Sequence, residues 1–190
     1  MSREFDGDVH EEFNDSDRNS IRFVGNKIYS VQTCHIYYTS YDLQWQSDTV
    51  NPCAHPDIML RSPVVEDGAE PYWYGRVIWI YHANVWAENS EIRGGRTARR
   101  MDFLWVRWFG DEPGYYSGFR RARLPKIGFV ESTDEFAFSF IDPANVVRGC
   151  HLIPAFNAGR SPDLLPYPRS IARRLNSEDV DDWLNFYVNM

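Results

Sequence analysis

Two stretches, YWYGRVIWIYH at residues 72–82 and MDFLWVRWF at residues 101–109, decide the fold. Nearly every position in both is apolar, and most of the residues are aromatic or β-branched, the types that favour pleated strands. Apolar runs without polar alternation are typical of strands buried on both faces or placed in a tightly curled sheet. The sequence therefore predicts two long core strands at these positions.

Weaker strand signals lie on both sides of these stretches. β-Branched and aromatic residues recur at 28–31, 35–39, 57–60 and 136–141, and glycines and prolines mark the turns between them. Several short strands separated by such turns indicate a barrel or a sandwich rather than an α/β fold. We predict a mainly β protein, a partly open β-barrel of roughly five to seven strands with long loops and one C-terminal α-helix.

The chain is predicted to fold as one domain with two flanking segments. Residues 1–20 hold seven acidic and two basic residues and little to bury, which indicates a disordered acidic tail. Residues 21–160 are assigned to the β-barrel. Residues 161–190 begin as a proline-rich connector, after which Asn176–Asp179 predicts a helix start that packs on the barrel. The apolar stripe of this helix consists of Val180, Trp183, Leu184 and Tyr187.

Composition bears on the compartment of the protein. No stretch of about 18 apolar residues occurs, so no membrane-spanning helix is expected. The first residues lack the apolar core of a secretory signal. Three cysteines, an odd number, argue against a disulfide framework and for a reducing compartment. We therefore expect an intracellular protein, nuclear or cytoplasmic, with no membrane partner.

Catalytic motifs are missing from the sequence. It contains no nucleophile elbow, phosphate loop, zinc-protease motif or dinucleotide fingerprint, so neither an enzyme nor a cofactor is predicted. Cysteine and histidine nevertheless lie close together at Cys34-His35, at Cys53 and His55, and at Cys150-His151. Zinc needs four converging N or S ligands, and strand neighbours point to opposite faces. This favours buried thiols over the alternative, a degenerate metal-dependent enzyme with zinc bound by Cys53, His55, Cys150 and His151.

Positive charge is concentrated in one part of an acidic chain. The net charge is −7, but residues 93–126 contain nine basic and three acidic residues. Eight of the basic residues form two clusters, Arg93, Arg96, Arg99 and Arg100, and then Arg120, Arg121, Arg123 and Lys126. Such groups bind phosphates through charge and hydrogen bonds, so both clusters are predicted to contact nucleic acid. The alternative is solvated loops that balance the acidic tail.

Tyr72, Trp73 and Tyr74 form a candidate aromatic binding surface. They begin a predicted strand directly after a loop, where at least one ring is expected to be exposed. Ring faces attract cations, so this surface would suit a methylated lysine. The alternative is that all three rings belong to the core of the barrel.

Several motifs together resemble a region of transposase-like proteins encoded by, or beside, fungal transposable elements. They are the residues at 72–78, 101–109, 123–130, 140–148 and 151–156, with further matches at 38–42, 51–59, 182–183 and 186–190. In those proteins the region lies in the C-terminal part, outside the nuclease core, and carries no assigned functional residues. The resemblance covers residues 28–190 and implies an accessory domain of a mobile-element protein, with no nuclease activity.

A looser similarity, at the level of fold, is to bromo-adjacent homology domains, which are chromatin-reading β-barrels related in shape to SH3-like barrels. The succession of GRVI at 75–78 and LWVRWF at 104–109 carries it. Fold alone does not fix function. We predict a non-catalytic binding module of a mobile-element-related protein that contacts DNA or chromatin through its basic loops. The alternative is a structural or protein-interaction domain of a larger transposase-like protein, with no nucleic-acid contact of its own.

Overall fold

A computed structural model describes residues 15–39, 45–62, 71–88, 97–118, 121–164 and 181–189 and is mainly β. The strands are β1 (Ile21–Phe23), β2 (Tyr29–Val31), β3 (Cys34–Thr39), β4 (Trp45–Val50), β5 (Asp57–Arg61), β6 (Tyr72–Ala87), β7 (Arg99–Asp111), β8 (Lys126–Phe129), β9 (Phe138–Ile141), β10 (Val146–Gly149), β11 (His151–Pro154), β12 (Arg160–Ser161), β13 (Asp182–Trp183) and β14 (Asn185–Asn189). Short helical segments are α1 (Asp15–Ser20) and 3-10 turns at Val24–Asn26 and Pro143–Asn145. None of the helices in these ranges is long and apolar enough to cross a membrane.

The prediction of two long core strands is confirmed, because β6 and β7 contain the two apolar stretches. The chain divides into two compact units. The smaller unit comprises Met1–Ile28 and Ala83–Met101, and the larger comprises Tyr29–His82 and Asp102–Met190.

In the smaller unit, β1 pairs antiparallel with the last residues of β6. The Glu88 N–H donates to the Ser20 carbonyl over 2.9 Å, and Arg22 forms an exposed ion pair with Glu88 at 3.0 Å. These contacts hold the C-terminal end of α1, a segment that the sequence analysis placed in the acidic tail. The prediction of disorder for residues 1–14 falls outside the described residues.

The larger unit contains an antiparallel sheet in the order β10-β5-β6-β7-β8-β14-β11. β2 also pairs with β6, and β9 also pairs with β7. β3 and β4 form a separate hairpin, and β12 pairs with β13. β10 and β11 lie at opposite ends of the strand order, yet Cys150 alone separates them in sequence.

Two apolar clusters in the larger unit lie on opposite faces of this sheet. Successive residues of a strand point to opposite faces, so Ile58 and Leu60 of β5 join one cluster and Met59 joins the other. The buried members of the first are Ile36, Val50, Ile58, Leu60, Val77, Ile80, Leu104, Val106 and Val146. The buried members of the second are Met59, Tyr74, Phe109, Ile127, Phe186 and Val188.

A buried arginine lies beside the second cluster. Arg76 of β6 bonds the Asp57 carboxylate at 2.8 and 3.3 Å, and it also donates a short hydrogen bond to Asp182 of β13. Its guanidinium carbon lies 5.2 to 5.6 Å from the ring centres of Phe109, Phe129 and Phe186. Burial lowers the pKa of Arg76, but attraction to the two carboxylates outweighs this and holds the pKa above its usual value. The ion pairs therefore join the neighbouring strands β5 and β6 to β13, which lies much later in the sequence.

The prediction of a C-terminal helix is wrong for the part of this segment that the structure describes, residues 181–189. Trp183 lies in β13 and Tyr187 in β14, while Leu184 lies between these strands; the proposed helix start at 176–179 and Val180 fall outside the described residues. β14 pairs with β8 on one side and β11 on the other, and alternate residues Phe186 and Val188 are buried. The spacing of the apolar residues fits a helix as well as a strand, and pairing with two neighbouring strands decides between them.

Removing Arg76 tests whether its ion pairs hold the sheet together. We expect Arg76→Ala to lower the free energy of unfolding by about 3 to 5 kcal/mol, because it leaves two carboxylates without their partner in the interior. Urea unfolding followed by tryptophan fluorescence measures this. The control, Arg61→Ala, removes an exposed arginine from the adjacent strand β5 and should change the free energy of unfolding by less than about 0.5 kcal/mol. Equal effects of the two substitutions would contradict the assignment.

Candidate functional site

Among the described residues, the structure brings three of the eight predicted basic residues together. Arg93, Arg96 and Arg120 fall outside the described residues. Arg99 and Arg100 are exposed at the beginning of β7, in the smaller unit. The remaining three, Arg121, Arg123 and Lys126, belong to the larger unit and lie close to one another.

The chain between β7 and β8 brings these three residues together. The Glu112 N–H donates to the Lys126 carbonyl at 2.9 Å, and the Tyr115 N–H donates back to Glu112 at 3.0 Å. Farther out, Gly118 and Arg123 form an antiparallel bridge, with the Gly118 N–H donating to the Arg123 carbonyl at 3.0 Å. Gly118 has a φ of 109°, which a residue with a side chain adopts only with strain. The segment that leads away from β7, here called the outgoing arm (112–118), is therefore held beside the segment that leads back to β8, the returning arm (121–126).

Two tyrosines on the outgoing arm lie against the basic residues of the returning arm. The guanidinium carbon of Arg121 lies 5.0 Å from the ring centre of Tyr116, and that of Arg123 lies 6.0 Å from the ring centre of Tyr115. The Lys126 ammonium lies 5.9 Å from the same Tyr115 ring. Tyr116 is 66% exposed. We call these five residues (Tyr115, Tyr116, Arg121, Arg123 and Lys126) the basic-aromatic patch.

The charges of the basic-aromatic patch are only partly compensated. Lys126 pairs with Glu112 at 3.4 Å, and both side chains are partly buried. Within the described part of the chain, no carboxylate pairs with Arg121 or Arg123, and both arginines are exposed. The two guanidinium groups are thus positioned by rings while their N–H groups face solvent, a state suited to binding an anion.

The candidate aromatic surface at 72–74 is split between the two faces of the sheet. Tyr72 packs against the second apolar cluster and Tyr74 is buried in it. Trp73 points to the other face, is 45% exposed, and contacts the ring of Trp108 edge-on with 5.9 Å between centres. Neighbouring residues of a strand alternate in direction, so these three rings cannot line one ligand.

A polar cavity of about 310 Å³ lies where β4, β5, β10 and β11 approach one another. Its charged and titratable lining consists of Asp48, His55, Asp57, Arg148, Cys150 and His151. The ring centres of His55 and His151 are 6.4 Å apart, and Arg148 approaches Asp48 at 3.7 Å. Among the described residues, no group of three or more His, Cys, Asp or Glu side chains is arranged to hold a metal ion.

The chemistry of Cys150 does not suit a nucleophile. Burial, reinforced by the charge of Asp57, raises the pKa of the thiol well above its usual value. Burial likewise raises the pKa of Cys34, with a contribution from Asp102. A thiol attacks as its thiolate, so both groups are poorly reactive at neutral pH. The Asp57 carboxylate, which also lines the cavity, accepts a hydrogen bond from Arg76.

Sequence reasoning missed the tyrosines of the patch and two exposed phenylalanines, one just before β9 and one on it. Tyr115-Tyr116 directly precedes the second basic cluster, and this interleaving of aromatic and basic residues is the signal that identifies it. The alternation FAFSFI at 136–141 was assigned to a strand, but the pattern does not reveal that Phe136 and Phe140 are exposed.

Comparison with known proteins finds no matching family model, curated protein or solved structure. The resemblances to transposase-like proteins and to bromo-adjacent homology domains therefore stay predictions.

Alkylation tests the assignment of Cys150 as an unreactive thiol. In a Cys34→Ser/Cys53→Ser variant, Cys150 is the remaining cysteine, and we expect iodoacetamide to modify it about tenfold or more slowly in the folded protein than in concentrated guanidinium chloride. Mass spectrometry over time measures both rates. A folded-state rate equal to or above the unfolded-state rate would show an activated thiol. The polar cavity would then be a candidate catalytic site.

Proposed function

We propose that this chain is a non-catalytic binding module that holds DNA through the basic-aromatic patch. One observation supports the proposal most strongly: two exposed guanidinium groups, Arg121 and Arg123, lie against tyrosine rings and have no carboxylate partner within the described residues. Arginine binds phosphate through parallel N–H groups, and a ring beneath the guanidinium leaves those groups accessible.

The exposed ring of Tyr116 favours single-stranded DNA over duplex. Proteins that bind single strands combine a positive surface for the backbone with aromatic rings on which bases stack. Tyr116 is 66% exposed, and Tyr115 is supported from behind by Tyr187 of β14, with 6.2 Å between ring centres. A duplex offers its phosphates but not its base faces, so it would engage the arginines alone.

The net charge of −7 does not oppose this proposal, because phosphate contacts depend on the local field. The segment 93–126 is positive, whereas the acidic residues are spread over the rest of the chain. The acidic residues at 1–14 could compete with DNA for the same arginines, so DNA binding is best tested with a chain that lacks them.

For the larger unit, we propose a partly open β-barrel of the kind found in bromo-adjacent homology and SH3-like domains. Chain connectivity supports this: β10 pairs with β5 at one end of the strand order, β11 pairs with β14 at the other, and Cys150 alone lies between them. One bent segment that serves both edges of a sheet brings those edges together. The basic-aromatic patch then lies in a loop between strands, the usual position of ligand contacts in such folds.

The wider setting stays a proposal as well. A DNA-binding module is compatible with an accessory role in a mobile-element protein and with a nuclear location. The alternative function, a protein-interaction domain without DNA contact, is favoured by a different feature, the exposed edge at β9.

Fluorescence anisotropy with a labelled oligothymidylate tests the proposal directly. We expect salt-sensitive binding to residues 15–190, with weaker binding to a duplex of the same length. In Arg121→Gln/Arg123→Gln the affinity at low salt should fall by about tenfold or more. The slope of log affinity against log salt should become shallower by about 1.4, because two phosphate contacts on a single strand are lost.

The matched control is Arg22→Gln/Arg61→Gln, which makes the same charge change at two exposed arginines that are not members of the patch. It should leave the affinity and the salt slope almost unchanged. If both double variants weaken binding equally, attraction is a general effect of net charge and the patch is not the site. No binding by the parent chain at low salt would also overturn the proposal.

A further inference from the structure

β9 is an edge strand with one side open. It pairs antiparallel with β7, with Leu104 opposite Ile141 and Arg107 opposite Phe138. In the described part of the chain, no strand pairs with the other side of β9. The Trp108 N–H donates to the Ala137 carbonyl at 2.9 Å, and backbone groups alternate in direction, so those of Phe138 and Phe140 point away from β7.

An aromatic face adjoins this open edge. Phe138 and Phe140 contact Trp105, with ring centres 5.9 and 6.4 Å apart, and Phe140 contacts Phe103 at 5.6 Å. The row continues across the sheet, because Phe103 contacts Tyr81 at 5.5 Å and Tyr81 stacks on Trp79 at 6.1 Å. Phe140 is 64% exposed. An added strand would place alternate side chains beside Phe138 and Phe140.

The edge is held in place before any partner arrives. The buried guanidinium of Arg107 donates to the Ala137 carbonyl at 3.2 Å and makes a short hydrogen bond to the Val130 carbonyl, which joins both ends of the preceding turn. Within that turn, the Asp134 carboxylate accepts the Phe136 N–H at 2.8 Å. After the strand, the Asp142 carboxylate accepts the Ala144 N–H at 2.8 Å. A strand that is already ordered loses little entropy on binding.

The arginine that supports the edge contributes no free charge to it. Burial lowers the pKa of Arg107 to about 10, so its guanidinium remains protonated at neutral pH. The group lies between the rings of Phe129 and Phe138, with its central carbon 5.3 and 4.7 Å from their centres. Both of its Nη groups donate to backbone carbonyls. The electrostatics of the exposed edge are therefore set by the residues that flank β9.

The flanking residues are acidic. Glu131, Asp134 and Glu135 precede the strand and Asp142 follows it. All four residues are exposed. No basic side chain pairs with these four among the described residues. Their charge repels a nucleic acid and also a second copy of this acidic chain, whereas it attracts lysine and arginine.

Edge strands normally carry protection against pairing, such as a lysine, a proline or a bulge. The segment 136–141, FAFSFI, has none of these. An edge that is apolar, ordered and unprotected is a template for strand addition, in which main-chain hydrogen bonds give affinity and alternate side chains give specificity.

We propose that β9 binds an extended segment of a partner protein by strand addition, and that this segment carries alternate apolar residues flanked by lysine or arginine. The apolar side chains pack on Phe138 and Phe140, and the basic flanks lie against the acidic turns at the two ends of β9. This site is separate from the basic-aromatic patch and does not depend on DNA binding.

The test uses two labelled peptides with the same alternating valine and threonine core, one flanked by lysines and one by glutamates. We expect the lysine-flanked peptide to bind in fluorescence anisotropy and the glutamate-flanked peptide to bind about tenfold or more weakly. Hydrogen exchange should slow at the Phe138 and Phe140 amides when the lysine-flanked peptide is added. Peptide binding without this protection would overturn strand addition.

Phe140→Pro removes an outward N–H and a ring from the edge, and edge strands tolerate proline where the N–H faces solvent. It should abolish binding of the lysine-flanked peptide, and Phe140→Ala should weaken that binding while leaving the backbone able to pair. The matched control is Phe156→Ala, which removes another largely exposed phenylalanine, in contact with Trp183. Far-UV circular dichroism checks that each variant is folded.

Three further results would overturn the proposal. The first is an absence of peptide binding, or binding that is indifferent to Phe140→Pro. The second is a dimer in light scattering that Phe140→Pro dissociates, because a second copy would then occupy the edge. The third is a loss of oligothymidylate binding in Phe140→Ala, since the aromatic face would then belong to a nucleic-acid site.

Discussion

The buried ion pairs of Arg76 are the interaction on which the rest of the larger unit depends. A guanidinium in the interior needs partners for its charge, and at Arg76 these are the carboxylates of Asp57 and Asp182, which lie far apart in the sequence. Asp182 brings the last described segment onto the sheet, where β14 pairs between β8 and β11. β14 in turn places Tyr187 behind Tyr115 of the basic-aromatic patch. The geometry of a surface patch is thus linked to a buried charge.

The larger unit carries two surfaces of opposite charge. The basic-aromatic patch offers Arg121 and Arg123 without carboxylate partners in the described part of the chain, whereas the ends of β9 carry acidic residues around an apolar edge. A surface of one sign attracts a partner of the other, so the two surfaces select different classes of partner. If both proposals hold, the chain connects DNA to a basic segment of a partner protein.

The sequence predicted the fold where the physical signal was local, and less well where pairing decided the outcome. β6 and β7 contain long, nearly continuous apolar runs rich in aromatic and β-branched residues, and this composition favours strands. The segment at 183–187 has a spacing that fits a helix, and its strand structure comes from hydrogen bonds to β8 and β11, which no local pattern encodes. Within the candidate site, the charge of Arg121 and Arg123 was predictable. Their position on Tyr115 and Tyr116 was not, because it depends on the bridge between Gly118 and Arg123.

The central functional claim is that DNA occupies the basic-aromatic patch and leaves β9 free. An NMR titration of the ¹⁵N-labelled chain with unlabelled oligothymidylate tests it most directly, because amide shifts report both surfaces in one sample. The account predicts shifts at Tyr116, Arg121 and Arg123 that grow with added oligonucleotide, and unchanged positions for Phe138 and Phe140. Shifts at Phe138 and Phe140 without any at Arg121 and Arg123 would contradict it.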